Sequence, residues 1–333
     1  MAKIGNLDLG AFPLLLAPME DVSDPPFRAV CKDNGADLMY TEFISTEGLV
    51  RHAAKSVQKL DIFPDERPMG IQIFGGAEEA MWGSVDMVCE AKPELLDINY
   101  GCPVKAVVCK DAGSALLRNV DKMVKLTEGI VKRSTVPVTV KTRLGWDEST
   151  KNIEEVVERL QDIGVAAVSI HGRTRVQMYK GEADWTLIGK IKNNPRIQIP
   201  IFGNGDIDTP EKAKLYKERY QVDGIMIGRA SIGYPWIFRE VKHYLETGEK
   251  LAPPTTAERV EACRKHFQKS MEWKNEKLGI LEMRRHYANY FKGYPDFKPV
   301  RMALVSSMDK NEILEILGQI ESTFSNFSLE LAP

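Results

Sequence analysis

A chain of 333 residues, 43% of them hydrophobic, has room for one large domain and a smaller one, and its composition excludes a fibrous or disordered class. The formal net charge of −2 and a pI near 6.3 exclude a global electrostatic pull toward nucleic acid or membrane, so any such affinity must come from charge segregated along the chain. Five cysteines, at 31, 89, 102, 109 and 263, are odd in number and include no Cys-x-x-Cys pair, which argues against a disulfide framework or a zinc site.

No apolar run reaches the length of a bilayer-spanning helix, and Met1-Ala-Lys-Ile-Gly-Asn lacks the charged-then-apolar layout of a signal peptide, so no membrane association and a cytoplasmic location are expected. Gly5-Asn6 predicts a hairpin turn. Residues 14–19 read as a strand running into a loop, followed by a helix from Pro25 capped by Ser23 or Asp24. Apolar runs at 38–43 and 69–74 predict the next strands, each with a helical stretch behind it, the second over 78–90. Strands at 95–99 and 136–143 flank a helix at 120–133, and a helix over 152–163 stops at Gly164. Strands at 166–172, 199–203 and 224–228 complete the series, separated by helices near 184–193 and 210–219.

Eight short apolar strands, each with a helix after it, fill roughly the first 245 residues, the size of a (β/α)₈ TIM barrel. An open doubly wound sheet fits less well. No Gly-x-Gly-x-x-Gly follows the first strand, and polar residues cluster after every strand instead of at one switch point. From Leu251, Ala-Pro-Pro-Thr-Thr marks a linker, and only helical periodicity follows. The expected organisation is therefore a catalytic barrel over 1–250 and an all-helical domain over 251–333. Residues 255–301 hold 11 Lys+Arg against 6 Asp+Glu, a net of +5 that leaves −7 for the rest. Arg284, Arg285, His286, Lys292, Lys298 and Arg301 are interleaved with Tyr287, Tyr290, Phe291, Tyr294 and Phe297, a mixture suited to phosphates and unpaired bases. The blander alternative is a solvated basic face over an aromatic core.

In a barrel, chemistry sits at the C-terminal ends of the strands. Those ends carry Pro18 and Met19, Glu42, Gln72, Asn99 with Cys102, Lys141 and Arg143, His171 and Arg173, Asn204-Gly205-Asp206, and Gly228-Arg229. Taken alone, Cys102 reads as a small buried hydrophobe. Amide, ammonium, imidazole and guanidinium groups all aimed at one rim favour a functional reading. Gly203-Asn-Gly-Asp and Gly228-Arg-Ala-Ser, on consecutive strands, form a phosphate cradle where such barrels commonly carry one. With Gln72 to address ring heteroatoms and Lys141 to neutralise a reduced ring, the cradle points to FMN.

The segments Ala17-Pro-Met, Asn99-Tyr-Gly-Cys-Pro-Val-Lys, Gly113-Ser-Ala-Leu-Leu, Lys141-Thr-Arg-Leu-Gly-Trp-Asp, His171-Gly-Arg-Thr, Gly203-Asn-Gly-Asp and Gly228-Arg, in this order, closely resemble the tRNA-dihydrouridine synthases, most like the bacterial B-type. The resemblance covers the whole chain. It implies an FMN-binding barrel, NADPH as reductant, and reduction of the C5=C6 bond of particular tRNA uridines, with no obligate protein partner. It makes Cys102 the proton donor. Pro18, Met19, Gln72, Lys141, His171, Asn204, Gly205, Asp206, Gly228 and Arg229 fall at flavin-site positions. Substrate contacts are expected from Asn99, Lys105, Arg143 and Arg173, and from Arg284, Arg285, Lys292 and Arg301 of the helical domain. One departure stands out: Ala106 follows Lys105 where the family usually has a second lysine. Competing readings are a flavin reductase of free pyrimidines or related enones, for which the basic helical domain has no use, and a non-catalytic RNA-binding barrel, which has no use for Cys102 and Lys141.

Overall fold

The computed structural model describes residues 1–325 and 327. The predicted hairpin is present: Lys3–Ile4 pairs antiparallel with Leu7–Asp8 around Gly5, whose φ of +56° suits glycine. Ile4 is buried among Leu15, Leu38, Leu95 and Phe202, so the hairpin caps the barrel core.

The barrel strands are β1 (Leu14–Leu16), β2 (Met39–Tyr40), β3 (Met69–Phe74), β4 (Leu95–Asn99), β5 (Val138–Arg143), β6 (Ala167–His171), β7 (Ile201–Asn204) and β8 (Gly224–Ile227). All pair in parallel in chain order from β2 to β8; β8 then pairs with β1, and one bridge, Leu15 to Leu38, joins β1 to the start of β2. β2 is shorter than its apolar run predicts. The chain leaves the ladder at Thr41, whose hydroxyl takes the Gln72 N–H at 3.1 Å, and rejoins β3 at Ile44–Ser45.

Strand alternation sorts the side chains. On β4, Leu96 and Ile98 point out into the layer beneath the helices, while Leu95, Asp97 and Asn99 point into the barrel. The interior is apolar at the base and polar toward the rim. Helix α1 (Pro25–Asp33) begins as expected, with the Asp24 carboxylate accepting the Phe27 N–H at 3.2 Å. The helix predicted over 78–90 is two pieces, Glu78–Gly83 and Val85–Glu90, interrupted at Ser84.

After the last barrel helix, Ile237–Thr247, come α2 (Thr256–Lys274), α3 (Glu276–Tyr290), α4 (Lys298–Ser306) and α5 (Lys310–Thr323). They enclose a core of their own, built on Phe267, Met283, Tyr287, Tyr290, Phe291, Tyr294 and Phe297. All five aromatics offered above for base stacking are thus buried packing residues, and His286 is buried with them. The bland reading holds there, because the i, i+3/i+4 spacing that lines up aromatics also places them on a core face.

The positive charge of these helices is partly spent on the barrel. Lys265 pairs with Asp33, Lys269 with Asp65 at 3.1 Å, and Arg285 with Asp21 at 3.5 Å, while Trp273 donates to Asp61 at 3.1 Å. Phe27 of α1 stacks against His286 with ring centroids 5.8 Å apart. Among the described residues no helix is long and apolar enough to cross a membrane.

Candidate active site

Register sets the site. Asn99 lies opposite Lys141, and His171 lies opposite both Arg143 and Asn204, so four neighbouring strands present polar groups at one height. Above them opens a cavity of roughly 930 Å³ lined by, among others, Met19, Asn99, Cys102, Lys141, Asp206 and Arg229.

The Cys102 loop is held from several sides. The Asn99 side-chain oxygen accepts the N–H groups of Gly101 at 2.9 Å and Cys102 at 2.8 Å. Arg143 donates through Nε to the Gly101 carbonyl at 2.7 Å and through Nη1 to the Thr174 and Met178 carbonyls. The Cys102 carbonyl accepts the Ser114 hydroxyl at 2.7 Å. Cys102 itself is 6% exposed. Burial pushes its thiol pKa up, against the lowering pull of the Val104 N–H and the nearby Arg143 charge, so the group stays protonated at neutral pH.

Below the rim, Gln72 donates to Asp97 at 2.6 Å and accepts from the Asn99 amide at 2.8 Å. Gln72 is fully buried and does not line the cavity; its amide supports Asn99 from beneath. Burial raises the Asp97 carboxyl to about 6. Lys141 donates to the Asn204 side chain at 3.3 Å and has no carboxylate within ion-pair distance among the described residues. Burial, reinforced by the Arg143 charge, lowers its ammonium to about 8. His171 is held well below its ordinary range by burial and by the surrounding cations, so it is neutral.

Two glycine turns close the far side. Gly205 has φ +121°, and a Cβ there would lie 2.7 Å from that of Ala183; at Gly228 a Cβ would lie 3.4 Å from Ala17. The backbone N–H groups of Gly205 and Asp206 find no acceptor among the described residues. Asp206 joins the turns: it takes Arg173 through both oxygens at 2.9 and 2.6 Å, Arg229 at 2.9 Å and the Ala183 N–H at 2.7 Å. Burial alone would raise its pKa, but the Arg173 hydrogen bonds and the two guanidinium charges hold it below the carboxylate range. Arg173 is 2% exposed and committed to this pair, whereas Arg229 remains half exposed.

Of the sequence-predicted residues, Pro18, Met19, Asn99, Cys102, Lys141, Arg143, His171, Arg173, Asn204, Gly205, Asp206, Gly228 and Arg229 share the cavity wall. Lys105 is exposed just outside it. Arg284, Arg285, Lys292 and Arg301 do not line it. Arg284 donates to the Ser307 carbonyl and Met308, and Arg285 to the Asp21 carbonyl, while Lys292 and Arg301 are exposed. Sequence reasoning missed Ser114 as a loop support and Tyr179 as a wall residue. Ser114 lies in a quoted segment without a distinguishing signal, and Tyr179 is brought in by a loop that pattern alone does not place.

Eight parallel strands with a protonated thiol, an unpaired lysine and two glycine turns at their C-terminal ends define a (β/α)₈-barrel enzyme. The 6-hydroxypseudooxynicotine amine oxidase of Pseudomonas geniculata shares this fold at a TM-score of 0.58, with 12% identity, covering 99% of this chain and 68% of that one. A family model described as dihydrouridine synthase matches residues 15–326. The tRNA-dihydrouridine synthase B of Pseudomonas putida is 39% identical over 288 residues, 86% of this chain and 85% of that protein. A probable tRNA-dihydrouridine synthase of Rickettsia bellii is 35% identical over 325 residues, 96% of this chain and 99% of that protein. The chain belongs to the dihydrouridine synthase family.

Proposed function

We propose that this protein reduces the C5=C6 bond of particular uridines in tRNA to dihydrouridine, using FMN bound in the barrel mouth and NADPH as the source of electrons. The observation that carries the reading is a buried thiol, Cys102, immobilised on the wall of a cavity that also presents an unpaired lysine and two glycine turns.

The residues fit the cofactor. Free N–H groups at Gly205 and Asp206, with two guanidinium groups against the single Asp206 carboxylate, suit a phosphate monoester. Lys141, buried without a carboxylate partner, suits an anionic or electron-rich ring, and His171, Asn204, Gly228, Pro18 and Met19 line the space between. Gln72 enters as the support of Asn99. When bound and reduced, the flavin supplies a hydride to uracil C6.

The chain's own residues do the rest. The uracil C5=C6 bond is conjugated to the C4 carbonyl, so charge develops at C5 and O4 as C6 is reduced. The Cys102 Sγ–H gives its proton to C5, and the resulting thiolate, disfavoured by burial, regains a proton from water. Lys141 and Arg143 flank the thiol with positive charge that stabilises the developing anion. The barrel over 1–250 is then the catalytic domain and 251–333 the domain that grips the tRNA, with Lys292 and Arg301 free for phosphate. A tRNA substrate sets the work in the cytoplasm. The test is direct: purified protein should be yellow, and should form dihydrouridine in tRNA when given NADPH. A colourless protein that FMN does not reconstitute, or a yellow one that reduces only free pyrimidines, overturns the reading.

A further inference from the structure

Beyond the cavity wall, on the Cys102 side, lies a second cluster of cations that the reaction does not use. The guanidinium of Arg118 sits 4.1 Å from the centroid of the Trp146 ring, and that of Arg175 sits 4.6 Å from the same ring. Arg118 belongs to the 3₁₀ turn Gly113–Arg118, Trp146 to the loop after β5, and Arg175 to the loop after β6. Three segments remote in sequence therefore bring two like charges onto one indole.

Neither arginine has a carboxylate partner among the described residues, although 27 ion pairs are formed elsewhere. Asp147, next to Trp146 in sequence, accepts the Ser149 N–H and the Ser149 and Thr150 hydroxyl groups through Oδ1 and pairs with neither arginine. Arg175 donates through Nη2 to the Pro103 carbonyl at 3.3 Å, the residue next to Cys102, yet its Nε is buried with no partner. Two cations on one indole repel each other, and an anion at the exposed Arg118 side relieves that repulsion. The indole holds both guanidinium groups in place by cation–π contact, so little side-chain entropy remains to be lost when an anion arrives.

Resting on the function proposed above, we infer that Arg118, Trp146 and Arg175 form a phosphodiester clamp that grips the RNA strand beside the uridine held over Cys102. The RNA is favoured over the dinucleotide reductant because the clamp is tied to the Cys102 loop, where the base must lie, while the two glycine turns close the other side of the cavity. The rim next to it is also shaped for a nucleic acid. Val104, one residue beyond Pro103, is 50% exposed and offers an apolar face on which a neighbouring sugar or base can rest.

The test is Arg118→Gln, a substitution at an exposed position, compared with Arg118→Lys and with Arg175→Gln in the flavin-loaded enzyme. The KM for tRNA and its dependence on salt are the readouts. Arg118→Gln should raise the tRNA KM about tenfold and shrink the slope of log affinity against log salt by about 0.7, the value of one lost single-strand phosphate contact. Arg118→Lys should restore the slope, since it keeps the charge, but only part of the affinity, since it loses the planar stack. An unchanged salt slope in Arg118→Gln overturns the clamp whatever happens to Arg175→Gln. A KM that rises for NADPH instead assigns the anion to the dinucleotide and also overturns it. Failure of the wild-type enzyme to act on tRNA at all would defeat the underlying function, a result separate from either of these.

Discussion

Asn99→Ala separates positioning from chemistry. The Asn99 oxygen is the acceptor for two buried N–H groups, Gly101 and Cys102, and its amide donates to Gln72. Alanine leaves both N–H groups without a partner. Orphaning a buried donor costs roughly 1–3 kcal/mol, and because the cavity lets water approach, the low end applies to each. The loss of the Gln72 contact adds about 1 kcal/mol. The loop that carries the thiol is then destabilised by about 3 kcal/mol in total, or about two orders of magnitude if all of it is expressed as lost placement of the proton donor. The remaining anchors, Arg143 on the Gly101 carbonyl and Ser114 on the Cys102 carbonyl, confine the opening to this loop, so the melting temperature should fall by only about a few degrees. Two assays follow. In single turnover, oxidation of the reduced protein by tRNA should slow by about 100-fold. In the absence of tRNA, alkylation of Cys102, read by peptide mass mapping, should accelerate because the loop opens. Turnover within threefold of wild type together with an unchanged alkylation rate would show that Asn99 does not hold the loop.

Cys102→Ala should keep the flavin and its reduction by NADPH while lowering turnover on tRNA by about 10²–10⁴-fold, the usual worth of a positioned general acid; undiminished dihydrouridine formation would remove the thiol from the mechanism. The pH profile should fall on its alkaline side as Lys141, ammonium below about 8, loses its charge with rising pH. His171, already neutral, adds nothing to that limb, and the raised Cys102 thiol titrates later. Lys141→Arg should move the limb upward, and a limb that stays in place assigns it elsewhere. Lys292→Ala with Arg301→Ala should weaken tRNA binding and flatten its salt dependence. Arg285→Ala, which loses its contacts to Asp21, should instead loosen the helical domain, seen as faster amide exchange in α3.

Much of the site was legible because strand ends are legible. Alternation fixes which residues of 95–99 or 138–143 face inward, and a parallel barrel brings inward residues of equal register to one rim. What the sequence did not disclose was the partner of each polar group. Arg143 and Arg173 have the chemistry of substrate ligands, yet one is stapled to the Cys102 loop and the other to Asp206. Gln72 has the chemistry of a ring ligand but is spent one layer down. A guanidinium or amide at a strand end signals a polar rim; whether it faces the ligand or braces a neighbour depends on loops of variable path, and pattern carries no information about those.

The helical domain shows the same limit for charge. A net of +5 over 255–301 is as consistent with attraction to RNA as with attraction to the rest of the chain, which carries −7. The structure divides it between the two. Lys265, Lys269 and Arg285 face acidic groups of the barrel, and the neutral histidine pair His266 and His286 packs with Phe27 where a charged pair would repel. Lys277, Lys292, Lys298 and Arg301 make no ion pair among the described residues and remain in solvent. Docking thus spends Lys265, Lys269 and Arg285 on acidic groups of the barrel and leaves Lys277, Lys292, Lys298 and Arg301 exposed. A chain that is nearly neutral overall can therefore present a cationic surface to a polyanion, which is why its net charge conceals its partner.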